Sequence, residues 1–325
     1  MSHNPEIDKI FDHFLPELDK AYSKAGLSLI ERPLKAASFI VEHVVIEVEG
    51  YEKDDFLEAP WFAAFYDCAE RWYENRYGDL SENNSADYLP SLVMIFDRWF
   101  LIHVPVRFRG EVEEDNTVWV YFPTKVRVEE DPFEWFVSGP NIPKMSKSGA
   151  KRASDRLEKV AAISRKINLN LWADFTEKSQ SDGASHIKSH LATAAHHFST
   201  NTAHGAQLAI WELHLAIEKS MKLWLNQRGL PVGGTHDLVE LNDDITKANK
   251  SSILHGKDLL KLPSSTESIK YRYAELRAPS LERQREIYEI SLSVVCQITD
   301  TLKRKYQFFD AGLKIKQPPW QRYQS

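Results

Sequence analysis

The sequence predicts an α+β N-terminal domain followed by an all-α, four-helix-bundle-like C-terminal domain. In the first half, the spacing of apolar residues changes between the strand period of two and the helical period of 3.6. In the second half, helical spacing with mostly short loops predominates, which favours a bundle. The charge also changes sign: residues 1–150 carry 15 Lys and Arg against 28 Asp and Glu, and residues 151–325 carry 26 against 19. We therefore predict an acidic domain joined to a basic one.

Length and composition are those of a folded globular protein with two domains. The chain has 325 residues, of which 42% are hydrophobic and 27% charged. It contains no uncharged apolar run of about 18 residues and begins without the features of a signal peptide, so we expect no membrane partner. The two cysteines, Cys68 and Cys296, predict neither a disulfide scaffold nor a cysteine-rich zinc module. We predict a cytoplasmic protein that needs no cofactor.

The first domain is predicted to span residues 1–143 and to mix helices with strands. A helix is expected over Pro5–Gly26, broken or kinked at Pro16. The β-branched content predicts a strand at Ser38–Glu49. The remaining predicted elements are a helix over Asp54–Tyr77, three strands at Ser91–Phe96, Trp99–Arg107 and Thr117–Val128, and a hairpin turn formed by Gly110 and Glu111–Asn116.

Seven aromatic residues lie between Trp61 and Tyr77, with Arg71 and Arg76 among them. Aromatic rings beside arginines can stack on unpaired bases. The rings repeat at spacings of four and seven, however, and the neighbouring residues are acidic. This pattern favours a wide helix face packed on a sheet.

The segment Pro140–Gly149 is rich in Pro, Ser, Lys and Gly and is the predicted domain boundary. Residues 144–183 are interpreted as a linker with a connector helix over Ala150–Trp172, followed by a polar break at Ser179–Ser185. The bundle is predicted at 184–308 and a basic tail at 309–325. Its four helices are expected at Ala184–Phe198, at Gly205–Arg228, from an N-cap at Thr235 to about Lys250, and from Pro279-Ser280 onward.

Three stretches of the bundle carry a family resemblance: Ala209–Gly229, Thr235–Leu241 and Ile269–Val295. The informative pieces are Ala216, Glu218-Lys219 and Lys222, then His236-Asp237-Leu238, then Arg272-Tyr273. In order and spacing, these pieces resemble the HEPN family of small four-helix bundles. The resemblance covers about residues 184–306, and the first half of the chain resembles no family that we recognise.

The resemblance implies a homodimer and a role of the kind HEPN proteins have in phage defence or toxin–antitoxin systems. Many members are ribonucleases with four to six residues between an Arg and a His, where the His acts on the ribose hydroxyl and the Arg stabilises the phosphate. This chain departs from that spacing: seven residues separate Arg228 from His236, and no His follows Arg272 or Arg277 within the bundle. A match at Arg98–His103 lies in a predicted strand, and about two such matches are expected by chance.

We therefore expect a non-catalytic binding or regulatory module for nucleic acid, a nucleotide or a protein partner. The alternative is a metal-independent ribonuclease that uses His236 with Arg228 or Arg272. The predicted anion-binding residues are Lys219, Lys222, Arg272, Arg277 and His236. A solvated helix face, with Glu218 paired to Lys222 four residues on, is the competing interpretation. Thr235, His236 and the Gly233-Gly234 amides at a helix N-terminus also favour an anion.

Histidines cluster in the bundle, with eight of the 12 between residues 186 and 255. His186, His190 and His197 flank the apolar stripe of the first bundle helix. They could border the core, line a dimer interface, bind a metal or contact phosphate, but that helix offers no carboxylate or cysteine as a further ligand, so we predict no metal site. RNA or a nucleotide is the expected partner of the bundle, and a protein is the expected partner of the acidic domain, which could also mask the basic bundle.

Overall fold

The computed structural model describes residues 5–48, 53, 55–59, 61–78, 88–113, 117–172, 178–254, 256–304 and 306–316. The contacts of the chain divide it into two compact units. The first unit comprises Met1–Ala86, Gly110–Trp119 and Lys314–Ser325, and the second comprises Asp87–Arg109 and Val120–Leu313. The first half therefore contains helices and a small antiparallel hairpin, and the second half is helical, as the sequence predicts at this level.

Within these described ranges the chain forms helices and strands whose bounds are as follows. The helices are α1 (Pro5–Lys24), α2 (Arg32–His43), α3 (Phe62–Tyr77), α4 (Lys147–Leu171), α5 (Lys178–Ser199), α6 (Ala203–Asn226), α7 (Leu238–Asn249), α8 (Gly256–Leu259), α9 (Ser265–Arg272) and α10 (Leu281–Asp300). The strands are β1 (Tyr88–Ile95), β2 (Arg98–Pro105), β3 (Phe108–Val112), β4 (Thr117–Tyr121) and β5 (Gly312–Lys316). No described helix has the length and apolar character that crossing a membrane requires.

The first unit is built on α1, α2 and α3, which pack on one another. The predicted first helix is confirmed, but the expected break at Pro16 is wrong, because α1 continues through it. Phe11 and Leu15, on either side of one helical turn, are fully buried in the core of this unit. Leu18 and Tyr22, after the proline, pack against the same core, so apolar burial on both sides of Pro16 holds the helix together.

The predicted strand at Ser38–Glu49 is also wrong, because α2 occupies Arg32–His43. Its buried residues Ala36, Ala37, Ile40 and Val41 recur at helical spacing. The β-branched run that suggested a strand begins inside this helix at Ile40 and Val41 and continues past the helix end. The aromatic face of α3 packs on the helices α1 and α2, where the sequence had suggested packing on a sheet.

A tight antiparallel hairpin, β1–β2, opens the second unit, with Ile95 opposite Arg98. Two of the predicted strands are thereby confirmed. The third is shorter than predicted, since β4 ends at Tyr121, and Gly110 lies inside β3 and not in a turn. Strand β5 completes a sheet of order β3-β4-β5 and occupies part of the predicted basic tail, whose residues 317–325 lie outside the described residues.

The helices of the second unit share one large apolar core with the hairpin. Leu92, Met94 and Trp99 of the hairpin belong to the same buried cluster as Ile210 and Leu292 of the bundle. The connector helix α4 packs on α10 and on β1. The contact-defined units therefore do not follow the predicted boundaries at 143/144 and 183/184, because hairpin, connector and bundle bury their apolar faces together.

The predicted starts of the bundle helices are confirmed only in part. Helix α10 starts just after Pro279-Ser280 as predicted, and the Ser280 hydroxyl caps it by accepting from the Arg283 amide. The N-cap of α7 is Asp237 and not Thr235. The predicted polar break at Ser179–Ser185 lies inside α5, where Ala184 is buried. Helices α8 and α9 fall in a segment that the sequence indicated only as polar.

Candidate functional site

The candidate site is centred on the carboxylate of Glu218, on α6. The carboxylate is almost fully buried, with 2% of its side chain exposed. Lys222 Nζ donates to Oε1 at 2.8 Å, and His236 Nδ1 lies 3.0 Å from Oε2. The ion pair between Glu218 and Lys222 that the solvated-face interpretation expected is confirmed. His236 joins the same carboxylate from the segment before α7.

The surroundings of Glu218 keep it ionised. Burial raises its pKa, but the hydrogen bonds from Lys222 and His236 outweigh that effect, so the pKa lies below its ordinary value. An ionised carboxylate can only accept hydrogen bonds, which assigns the proton of the neutral His236 ring to Nδ1. The opposite nitrogen, Nε2, then carries a lone pair. Because 61% of the His236 side chain is exposed, the ring can meet a ligand from solvent.

A second, buried histidine fixes the backbone at His236. His214 Nε2 lies 3.1 Å from the carbonyl oxygen of His236, and His214 Nδ1 lies 3.3 Å from Ser268 Oγ. A carbonyl only accepts, so Nε2 donates to it and Nδ1 accepts from the serine hydroxyl. Burial lowers the pKa of His214, which is consistent with a neutral ring. Helices α6 and α9 thus hold His236 in place through both its side chain and its main chain.

Arg272, the last residue of α9, lies against two aromatic rings. Its guanidinium carbon is 5.1 Å from the Trp211 ring centre and 5.5 Å from that of Tyr273. Tyr273 is 63% exposed. The Trp211 ring also lies parallel to the His214 ring, with centres 6.1 Å apart. The Trp211 ring therefore lies between the Arg272 guanidinium and the imidazole of His214, which supports His236.

Arg228 lies elsewhere and supports a helix end. Its guanidinium carbon is 3.5 Å from the Trp224 ring centre, and its nitrogens donate to the carbonyls of Trp224 and Thr301. Thr301 is the C-cap of α10, so Arg228 satisfies a carbonyl that the helix leaves open. Along α6, Glu218 and Asn226 are about 12 Å apart, at about 1.5 Å per residue. The structure therefore does not bring Arg228 to His236.

The remaining predicted cations differ in whether a carboxylate already binds them. Lys222 is held by Glu218, whereas Lys219 is partly exposed and Arg272 and Arg277 are exposed. Among the residues that the structure describes, no carboxylate forms an ion pair with Lys219, Arg272 or Arg277. These three cations are free to meet an anion.

The N-terminus of α7 is not an open anion site, contrary to the prediction. Asp237 Oδ1 accepts from the amides of Val239 at 2.8 Å and Glu240 at 3.2 Å. Thr235 Oγ1 donates to Glu240 Oε2 at 2.6 Å. The chain's own carboxylates therefore occupy the position where an external anion was expected.

The clustered histidines that the structure describes contact separate partners and do not share one centre. His190 Nδ1 lies 2.7 Å from Glu212 Oε2, so the carboxylate absent from the first bundle helix comes from α6. Within the described ranges, no group of three His, Cys, Asp or Glu side chains converges as a metal site would require. His255 lies outside the described residues.

Sequence reasoning missed Trp211 and Ser268 as parts of the site. The available signal was the spacing of Trp211, His214 and Glu218 on α6, at three and four residues, which places them on one helix face. No protein-family model, curated protein or solved structure matches the chain. Its function is therefore argued from these residues.

Proposed function

We propose that the second unit binds single-stranded RNA through the His236 surface, defined as Trp211, Lys219, His236, Arg272 and Tyr273. The observation that carries this proposal is the stacking of the Arg272 guanidinium against Trp211 and Tyr273. Proteins that bind single strands combine cations for the backbone with aromatic or guanidinium planes for the bases. The exposed ring of Tyr273 supplies such a plane beside a cation.

Charge supports the same ligand class. Lys219 and Arg272 have no carboxylate partner within the described chain, and Arg277 follows Arg272 on an exposed segment. Phosphate contacts from such cations release counterions, which gives affinity without sequence preference. The helical region also belongs to the basic half of the chain. We expect binding that weakens as salt rises.

The HEPN resemblance adds the biological setting of this proposal. The resembling pieces include Lys219, Lys222, His236 and Arg272. With that resemblance as its only support, we propose a homodimeric, non-catalytic module of a defence or toxin–antitoxin-type system. A protein partner for the acidic first half is part of the same proposal.

Binding is tested by the fluorescence anisotropy of a short labelled single-stranded RNA. Arg272→Gln removes both the charge and the stacked plane and is expected to weaken binding about tenfold. Arg152→Gln, at an exposed arginine of α4, is the matched control and should leave affinity unchanged. Equal affinity of Arg272→Gln and the unsubstituted protein would reject the proposed surface.

A second candidate function, a metal-independent ribonuclease, is favoured by the pairing of Glu218 with His236. A carboxylate on Nδ1 orients the imidazole and stabilises its protonated form, while Nε2 accepts a proton from a nucleophile. In this role His236 would act on the ribose hydroxyl and Arg272 would stabilise the phosphate. Arg228 is left out of this catalytic set, because it is bound at the end of α10.

The two functions separate in one cleavage assay. Labelled RNA is incubated with the protein in EDTA, and the unsubstituted protein is compared with His236→Ala and Glu218→Gln. Cleavage that disappears in His236→Ala would establish the ribonuclease and reject the non-catalytic module. RNA that stays intact with every protein would reject the ribonuclease.

A further inference from the structure

A cleft in the second unit lies between the β1–β2 hairpin, α4 and α10. Its accessible volume is about 40 Å³, and the space between its walls, counted out to the open mouth, is about 470 Å³. Its walls are apolar and are formed by Leu92, Met94, Trp99, Val160, Ile163 and Leu292. None of these residues belongs to the His236 surface.

The polar atoms on the floor of the cleft are satisfied by the protein itself. Trp99 Nε1 donates to Gln284 Oε1 at 3.2 Å, and the Tyr288 hydroxyl accepts from the Leu92 amide at 2.9 Å. Both rings are nearly fully buried. The floor therefore offers carbon surface and no free donor or acceptor to a ligand.

The rim of the cleft is positively charged. Lys159 is paired with Glu289 at 3.3 Å. Arg156 donates one guanidinium nitrogen to the Met94 carbonyl, and Arg285 lines the same cleft. In the portion of the chain that the structure describes, neither arginine forms an ion pair. Two uncompensated guanidinium groups therefore border an apolar interior.

We infer that this cleft binds a small amphipathic anion, with an apolar chain or flat ring inside and a single carboxylate or phosphate head at Arg156 and Arg285. The apolar walls select against fully polar anions, since burying an unpaired polar group is costly. The guanidinium forks match the planar or tetrahedral oxygens of the head group. The two arginines thus select a negatively charged head group, and the apolar floor of the cleft selects an apolar chain or ring.

The head group is identified by calorimetric titration of the full-length protein with octanoate, octyl phosphate, 2-naphthoate and octylamine. We expect saturable binding of at least one of the three anions, whereas octylamine, with the opposite charge, should not bind. The preference between octanoate and octyl phosphate identifies the head, and that between octanoate and naphthoate identifies the tail. Equal affinity for octylamine, or no saturable binding of any anion, would overturn the inference.

Variants of the rim test whether the ligand occupies this cleft. Arg285→Gln is expected to weaken anion binding about tenfold, because it removes a charged hydrogen-bond donor. Arg152→Gln, one turn before Arg156 on α4, is the control and should bind as the unsubstituted protein does. Equal losses in the two variants would contradict the assignment.

Two further variants separate this site from the rest of the molecule. Ile163→Trp, at a half-buried wall residue, fills the cleft and should abolish binding. The unfolding midpoint of Ile163→Trp is measured as well. If Ile163→Trp does not fold, the Arg285→Gln result alone tests the site. Arg272→Gln, on the His236 surface, should leave anion binding unchanged, so failure of the RNA proposal is distinguishable from failure of this one.

Discussion

At the scale of single residues, the buried carboxylate of Glu218 organises the site. It ties Lys222 of its own helix to His236 of the segment before α7. A buried charge is tolerated only when it is paired and hydrogen-bonded, so both partners are also structural requirements. His236 is therefore both an exposed ring and a structural partner of the buried carboxylate.

Replacing Glu218 changes how stability depends on pH. Because its folded pKa lies below the ordinary value of 4.5, Glu218 stabilises the fold above pH 4.5, and this contribution is lost as pH falls through the lower folded pKa. We expect Glu218→Gln to lower the free energy of unfolding by about 1–3 kcal/mol at neutral pH. The difference should shrink in acid, as followed by urea unfolding. Glu282→Gln, at an exposed site, is the control, and a constant difference at all pH values would contradict this role.

His214 predicts a second pH effect at higher pH. Burial lowers its pKa below the ordinary value of 6.5, so between 6.5 and the lower folded pKa the unfolded chain takes up a proton that the folded chain does not. Stability from this group is complete above 6.5 and falls as the solution is acidified. We expect His214→Gln to lose less stability than the unsubstituted protein between about pH 7.5 and about pH 5.5. His204→Gln, at an exposed histidine, should behave as the unsubstituted protein does, and parallel curves for all three would refute the assignment.

At the scale of elements, the β1–β2 hairpin closes through a two-residue turn with unusual residues. Phe96 and Asp97 have φ angles of 52° and 54°, a left-handed conformation that favours Asn and Gly. Asp97→Gly is expected to raise the free energy of unfolding by about 0.5–1 kcal/mol in thermal or urea unfolding. Arg98→Gly, one residue further in extended backbone, is the control and should lower it. A loss of stability in Asp97→Gly would contradict the turn assignment.

Helix α4 is held to the segment after β4 by one buried arginine. Arg165 is fully buried and donates to the carbonyls of Pro105 and Lys125 at 2.8 Å, and to the buried carboxylate of Glu130. Arg165→Met leaves that carboxylate uncompensated, which we expect to cost about 3–5 kcal/mol in urea unfolding. Arg152→Met on the same helix should change little. A loss below about 1 kcal/mol for Arg165→Met would contradict this role, because it would show that water hydrates the Glu130 carboxylate once the arginine is removed.

Local pattern predicted the long helices of the bundle because each buries one continuous apolar face. It failed at α2, where a β-branched run that begins inside the helix and continues past its end suggested a strand. It also failed at Thr235, since the helix begins only after Asp237, whose carboxylate accepts from the amides of Val239 and Glu240. The site shows the same division. Glu218 and Lys222 were predictable from helical spacing, whereas the approach of Ser268 to His214 and of Arg272 to Trp211 depends on tertiary packing of α6 with α9.

At the scale of the whole molecule, the division of charge along the chain bears on ligand binding. Residues 1–86 carry 18 Asp and Glu against 8 Lys and Arg. Such a charge repels a polyanion at low salt. Deletion of residues 1–143 would not isolate this effect, because it removes Leu92, Met94 and Trp99 from the core of the second unit.

Removal of residues 1–86 is the suitable deletion. We expect it to tighten binding to single-stranded RNA several-fold at low salt, with the difference vanishing as salt rises, because screening removes the repulsion. Anisotropy titrations across a salt series measure this, after circular dichroism has shown that the truncated chain keeps its helices. Unchanged affinity at low salt would refute masking by the acidic segment.

The salt dependence of RNA binding tests the central claim most directly. The logarithm of the association constant for single-stranded RNA is measured against the logarithm of salt concentration for the unsubstituted protein, Lys219→Gln, Arg272→Gln and the control Lys151→Gln. We predict a linear decline, with a slope reduced by about 0.7 for each cation removed from the His236 surface and unchanged for the control. An association constant that does not change with salt, or slopes that are identical in all four proteins, would contradict RNA recognition by this surface.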